Sequence, residues 1–441
     1  MTSKFRTDDV EGTLNLSEAS SAVMSAWVRL KSNRDDDKLE VVKQSILMRD
    51  RGEFAAADEL AQAVLARDPS YPFAWYELAI SRLMQGLHGD ALAAIDELCG
   101  HHAEDVRAIA LAVRLAALIG DGARARQELR KLLKLNPNHP DLGPLMDFVD
   151  YAGEFPCARS VYLCRRCELS PRFIGAASII EKTRMALEAR KGFSFVRMGD
   201  GEGAFIFLSA ADDARFASLY ARNREDRARV WFNGQVDLRA SGFLDLTLRL
   251  REVIARADVV GLPYASWVAH EYKIGSITGI SALVNLLRLC ADPGVDVGQA
   301  FARQDAHVLL GHNGHLQQLL QSRPAVGLIG CHPELPAFVA RTFGIGDVEF
   351  CKIPGEKLFA DRIGAEAASG VHYPDRFNAI IADLSGRDLS GQLYLVAGGI
   401  LGKFYCDRIK QQGGVALDIG SLVDSWVGVA TRPGYIQTKS V

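Results

Sequence analysis

The sequence lacks long apolar runs, paired cysteines and an excess of either charge, and each absence removes a class of protein. Its longest apolar stretch, LYLVAGGIL from Leu393 to Leu401, is far short of the roughly 20 residues that cross a bilayer. The opening MTSKFRTDDVEG has no apolar core of the kind a secretory leader needs. Eight cysteines (Cys99, Cys157, Cys164, Cys167, Cys290, Cys331, Cys351 and Cys406) are scattered, with none of the spacing of a disulfide framework. Cys164 and Cys167 form one isolated CxxC with no second ligand pair, so they are expected to be reduced packing residues. A net charge of −3 rules out a strongly basic footprint for nucleic acid. These absences predict a cytoplasmic protein with no transmembrane segment and no nucleic-acid partner.

What is present is ordinary globular material, 48% hydrophobic and 24% charged, in 441 residues, enough for two or three domains. The first third repeats. Gly52, Gly86, Gly120 and Gly153 lie 34, 34 and 33 residues apart, and Ala57, Ala91, Ala125 and Ala158 follow in register. Pro69, Pro137 and Pro171 close units of the same period. Each unit reads as two amphipathic helices, with small residues at a close crossing, glycine in the turn and proline where a missing N–H costs little. The pattern resembles the tetratricopeptide repeat over residues 38–172, in four units of which the last is partial. Such arrays bury a core by stacking and offer a surface to a partner, so a protein partner on the groove is expected. The plainer alternative is that the array buttresses the next domain or forms a homo-oligomer. Residues 1–37 are expected to form an extension, partly disordered at its start or with one helix from Leu14 to Leu30, and with SNRDDDK as a solvated linker.

From about Phe173 the texture changes to short apolar runs closed by Gly or Pro and separated by helical stretches. The runs FSFVRM, DVVGLP, AHVLLG, AVGLIG, VEFCKIP, AIIADLSG, LYLVAGG and VALDIG are expected as strands. Continuous apolar strands alternating with helices predict a mainly parallel sheet covered on both faces. The fold class is therefore an α-helical repeat array followed by a Rossmann-like α/β domain over residues 173–441. Ligands of such sheets bind at the carboxyl ends of strands.

The most pointed chemistry follows the first of these strands, at Gly199-Asp200-Gly201-Glu202. Two carboxylates this close repel each other unless a cation lies between them, and a divalent metal with oxygen ligands is the usual answer. The plain reading is a surface turn whose acids favour a helix N-terminus. Other candidates are Gly311-His312-Asn313-Gly314-His315, for diphosphate or sugar contact or a solvated turn; Trp267 to Tyr272, for stacking or packing; Phe232-Asn233-Gly234-Gln235, as a turn; and Lys352 to Lys357, for phosphate or as a loop. A zinc site on His312 and His315 would need further ligands, of which His332 after Cys331 is one.

The string VRMGDGE, with LYLVAGGILGKFYCDRIKQQGGVALDIGSLVDSW near the other end, resembles the GT-D type glycosyltransferases over residues 175–430. The resemblance implies sugar transfer from a nucleoside diphosphate sugar, a UDP-sugar first, with Mn²⁺ or Mg²⁺, to a protein or glycan acceptor. It places Asp200 and Glu202 as the metal pair and Arg197 beside the phosphates or the pair. Gly199 and Gly201 would admit the diphosphate closely. Asp418 and Gly420 fall on the facing side of the cleft, with Trp426 flanking. Asp200, Glu202 and Asp418 are the expected catalytic residues, and Arg197, Gly199, Gly201, His312, Asn313 and Gly420 the expected donor contacts. For the base, Asp418, Asp424, Glu271 and His312 stay open. A Rossmann dehydrogenase lacks its acidic residue after a second strand, and an adenosylmethionine site opened by VALDIG lacks the chain to complete it. The rival from another class is a repeat scaffold whose α/β domain binds nucleotide without turnover.

Overall fold

The computed structural model describes residues 30, 34–232, 236–238, 241–291, 299–429 and 431. The expected helix from Leu14 to Leu30 lies almost wholly outside them, as does most of the Phe232 to Gln235 turn. Eight helices form four antiparallel pairs: α1 (Asp35–Asp50) with α2 (Phe54–Leu65), α3 (Pro72–Gln85) with α4 (His88–His101), α5 (Val106–Leu118) with α6 (Gly122–Leu135), and α7 (Leu142–Glu154) with α8 (Cys157–Glu168). The linker expected at SNRDDDK is shorter than that. Asp35, Asp36 and Asp37 form the first turn of α1, where their charge suits the helix dipole, and Lys38 is buried and paired with Asp68.

The 34-residue grammar has a physical cause in the first three pairs. Gly52, Gly86 and Gly120 take φ of 84°, 82° and 84°, a left-handed turn between paired helices that a side chain would strain. Ala57, Ala91 and Ala125 are fully buried where the helices cross. The fourth pair departs from this. Gly153 lies inside α7 and Ala158 is exposed, while Ser160 is the buried small residue, its hydroxyl 2.8 Å from that of Tyr272.

The α/β half holds seven parallel strands: β1 (Phe193–Arg197), β2 (Val259–Leu262), β3 (Ala300–Arg303), β4 (Ala325–Gly330), β5 (Asp347–Lys352), β6 (Leu393–Val396) and β7 (Val415–Asp418). Their order is β3-β2-β1-β7-β6-β4-β5. Two expected strands are helices. AHVLLG belongs to the helix Ala306–His312 and AIIADLSG to the helix Phe377–Ser385. In the second, Phe377, Ile380 and Leu384 are the buried positions, a spacing of three and four that belongs to a helix face. β3, polar at its end, was not expected.

The two halves share one core. Phe216, Tyr220, Val268, Tyr272, Leu283, Val284 and Leu287 of the α/β half pack in the same apolar cluster as the array helices. Polar contacts pin this seam. Asp147 of α7 accepts from the backbone N–H groups of Ser218 and Leu219 at 2.7 and 3.0 Å, Tyr151 donates to Asn285 at 2.9 Å, and His88 Nε2 lies 2.8 Å from the Lys273 carbonyl. Gly275, at φ 62°, is needed because a Cβ there would lie 2.9 Å from Leu118 and 3.1 Å from Leu83. Cys164 packs in the seam and donates to the Pro263 carbonyl at 3.1 Å, and burial pushes the thiols of Cys164 and Cys167 up.

Candidate active site

The faces on which the chain leaves the sheet locate its crevice. The helices Ser241–Arg256 and Gly399–Gln411, after β1 and β6, pack in one core layer; Leu335–Phe343 and Leu422–Trp426, after β4 and β7, pack in the other. Neighbouring strands β1 and β7, and β6 and β4, therefore send their chains to opposite faces. Crevices for ligands open at such points, at the carboxyl ends of the strands.

Four charges are buried at the β1–β7 end. Phe195 pairs with Leu417, which sets Arg197 beside Asp418. The Arg197 backbone N–H donates to Asp418 Oδ2 at 3.1 Å, its Nη2 to Oδ1 at 3.2 Å and its Nε to the Asp418 carbonyl at 3.1 Å. Lys403 rises from the helix Gly399–Gln411, with Nζ 2.6 Å from Asp418 Oδ2 and 2.9 Å from Glu202 Oε1. Glu202 Oε2 accepts from the Gly199 N–H at 2.8 Å. Two cations and two anions thus neutralise each other; desolvating any one alone would cost several kcal/mol. Burial alone would lower the Lys403 ammonium, but Asp418 and Glu202 outweigh it and raise it. Burial would likewise raise Asp418, but Arg197 and Lys403 hold it down to about 2. A carboxylate held so low, with both oxygens engaged, is a poor base at neutral pH.

Arg197 also reaches a histidine, though not one of the pair singled out in the sequence. Its Nη1 lies 3.0 Å from the ring of His307, whose pKa is lowered first by burial and then by Arg197. His312 and Asn313 are exposed, at the far end of the same short helix. Gly420, at φ 47°, makes room for Arg197: a Cβ there would lie 1.7 Å from Nη2.

The carboxylates of the Gly-Asp-Gly-Glu hook have separate cations, both from the protein. Asp200 Oδ2 is 2.8 Å from Arg227 Nη1, and its Oδ1 accepts from the Gly201 N–H at 3.0 Å. Glu202 is 5% exposed and held by Lys403, whereas the Asp200 side chain is 33% exposed. The charge that the spacing demands is therefore supplied by Lys403 and Arg227. A divalent ion shared by the two acids does not fit this arrangement, since Glu202 is buried against the ammonium of Lys403. Asp200 is the acid of the hook that reaches the surface.

Tryptophans explain the glycines. A Cβ at Gly201 would lie 2.5 Å from Trp231 Nε1, and one at Gly399 would lie 2.7 Å from its Cε3, so the indole is held between two backbones. A Cβ at Gly199 would lie 3.2 Å from Trp267. Trp267 donates to Glu271 at 3.1 Å, and the Glu271 carboxyl is raised first by burial and then by Asp200. Trp426 lies apart from these groups, stacked on Phe338 with ring centroids 5.9 Å apart. Lys352 donates to the Glu366 carbonyl at 2.8 Å. Lys403, His307, Arg227 and Trp231 were missed in the sequence. Lys403 left a signal, a lone charge inside the apolar run GILGKFYC. Arg227 sits among many arginines and left none.

No family model matches the chain, and no curated protein does. Among solved structures it is similar to a Thermobaculum terrenum O-GlcNAc transferase mutant, at 11% identity over 91% of this chain and 74% of that one. The TM-score of that match is 0.25.

Proposed function

We propose that the chain is a glycosyltransferase that moves a sugar from a nucleoside diphosphate sugar, a UDP-sugar first, to a protein or glycan acceptor. The observation that carries this reading is the hook after β1. Asp200 and its partner Arg227 stand part-exposed at the carboxyl-end crevice, beside Trp231 and Trp267 and above a neutral quartet of buried charges. Breaking a sugar–phosphate bond leaves a nucleoside diphosphate of growing negative charge, which positioned cations stabilise. Arg227 is placed to exchange Asp200 for that diphosphate. The buried quartet holds the floor of the hook in one geometry, so that Asp200 meets the sugar in a fixed orientation. Glu271, raised and close to Asp200, is the better candidate for accepting the acceptor's proton than Asp418. Mn²⁺ or Mg²⁺ enters this reading through Asp200 alone, and no step is assigned to it. The array is proposed to bring the acceptor or a protein partner.

A screen of nucleoside diphosphate sugars, with and without Mn²⁺, tests it. Expected is turnover of at least one donor, reduced about 10²-fold or more in Arg227→Gln, since such charge-stabilising groups contribute on that scale. The second reading is a scaffold that binds nucleotide without turnover. The internal pairing of every acid of the hook favours it, and nucleotide binding with no turnover of any donor would establish it over the first.

A further inference from the structure

A second cluster of ligand-type side chains stands on the same edge of the sheet, outside the hook. β4 ends at Gly330 and is followed at once by Cys331 and His332; β7 is followed by the helix Leu422–Trp426, which carries Asp424. The Cys331 sulfur, a His332 ring nitrogen and an Asp424 carboxylate oxygen lie within 4.8 Å of one another. His332 is fully buried. Its Nε2 lies 2.8 Å from Asp424 Oδ1, and the other Asp424 oxygen accepts from Thr431. Its Nδ1 is buried without a well-formed hydrogen bond, with the Cys331 thiol beside the ring and Glu334 Oε1 3.9 Å away. A buried ring nitrogen without such a bond is costly.

We infer that Cys331 and His332 form a binding site for a thiolate-seeking divalent cation, Zn²⁺ first, oriented by Asp424 and completed by Glu334 and water. The carboxylate on Nε2 fixes the imidazole tautomer and turns Nδ1 toward the ion, the usual supporting arrangement for a metal-bound histidine. A mixed sulfur, nitrogen and oxygen set suits zinc over magnesium or calcium, which take oxygen. Zinc–nitrogen and zinc–oxygen distances near 2 Å put ligand atoms about 3.3 Å apart, so Nδ1 and Glu334 Oε1 need only a small approach. The ion would tie the segment after β4 to the segment after β7. This site is independent of the sugar-transfer reading.

Full-length protein without an affinity tag, stripped by a chelator and titrated with Co²⁺, tests the site. Expected are one equivalent bound, a thiolate-to-cobalt charge-transfer absorption that Zn²⁺ competes away, and loss of that absorption in Cys331→Ser. Asp424→Asn should weaken binding about 10–100-fold, the scale for losing a partner of a ligating histidine. Zinc should raise the Tm of the wild type and leave that of Cys331→Ser unmoved. Circular dichroism checks that each variant is folded. No thiolate absorption in the folded wild type, or the same absorption in Cys331→Ser, overturns the site.

Discussion

At the residue scale, the molecule depends on balancing charge that it has taken out of water. Lys403 is the shared cation of Glu202 and Asp418 and is 2% exposed. Lys403→Met leaves two acids facing one arginine and is expected to destabilise the fold by about 3–5 kcal/mol, the scale for breaking a buried pair. Urea unfolding at pH 7 measures it, and a loss below about 1 kcal/mol would mean that water reaches the quartet. The same balance sets an acid limb. Asp418 has a folded value of about 2 against an ordinary 3.8, so its stabilisation is complete above pH 4 and is lost as pH falls through 2. Stability measured from pH 4 to pH 2 should fall in the wild type, with that component absent in Asp418→Asn. Gly201 yields another residue-scale expectation. Gly201→Ala places a methyl 2.5 Å from the Trp231 ring, costs about 1–3 kcal/mol as overpacking, and shifts the indole emission. Much of this chemistry was legible in the sequence, because Asp200 and Glu202 announce a need for positive charge. Which cation answers was not, since Lys403 is 201 residues from Glu202 in the chain and only the crossover after β6 brings them together.

At the element scale, pattern and period predicted well where one side of an element is apolar and poorly where length was the only guide. Six apolar runs became strands; the sheet buries both faces of five of them, while β5, at its edge, has no fully buried residue. The runs at 306–311 and 379–386 look similar in composition, and only their spacing of three and four marks them as helices. β3 stayed hidden because Ala300 and Arg303 give it no continuous apolar run. The repeats show how far a period can be trusted. Glycine and alanine at fixed steps foretold the first three helix pairs, but in the fourth the same marks fall on an ordinary helical glycine and an exposed alanine. The seam displaced the crossing there, placing Ser160 against Tyr272. Paired substitutions test this reading. Ala91→Leu, in a fully buried crossing, should cost about 1–3 kcal/mol by overpacking. Ala158→Leu should stay within about 0.5 kcal/mol, as surface changes do. Equal costs in thermal unfolding would mean that the fourth pair crosses like the others.

At the scale of the whole molecule, the seam changes what the array can do and how that can be tested. The first helices of the second, third and fourth pairs give part of their surface to the α/β half: Leu83 and Gly86 of the α3 end, Leu118 of α5, and Asp147 and Tyr151 of α7 all touch it. A partner proposed for the array must therefore be met on what that contact leaves open. An array that only delivered the acceptor would, on removal of residues 1–170, cost acceptor modification more than donor hydrolysis. The shared core argues otherwise. Truncation would uncover Phe216, Tyr220, Tyr272, Leu283, Val284 and Leu287 together and remove the Asp147 carboxylate that caps the helix Ala217–Trp231. That helix carries Arg227 and Trp231, so the hook would lose its outer cation and its indole along with its support. Donor turnover should fall with acceptor modification, and the truncated protein should bind hydrophobic dyes and aggregate. Intact protein should unfold in a single calorimetric transition whose calorimetric and van't Hoff enthalpies agree. Two separate transitions, with a truncated α/β half that keeps donor turnover, would mean that the array is an independent module resting on a self-sufficient enzyme.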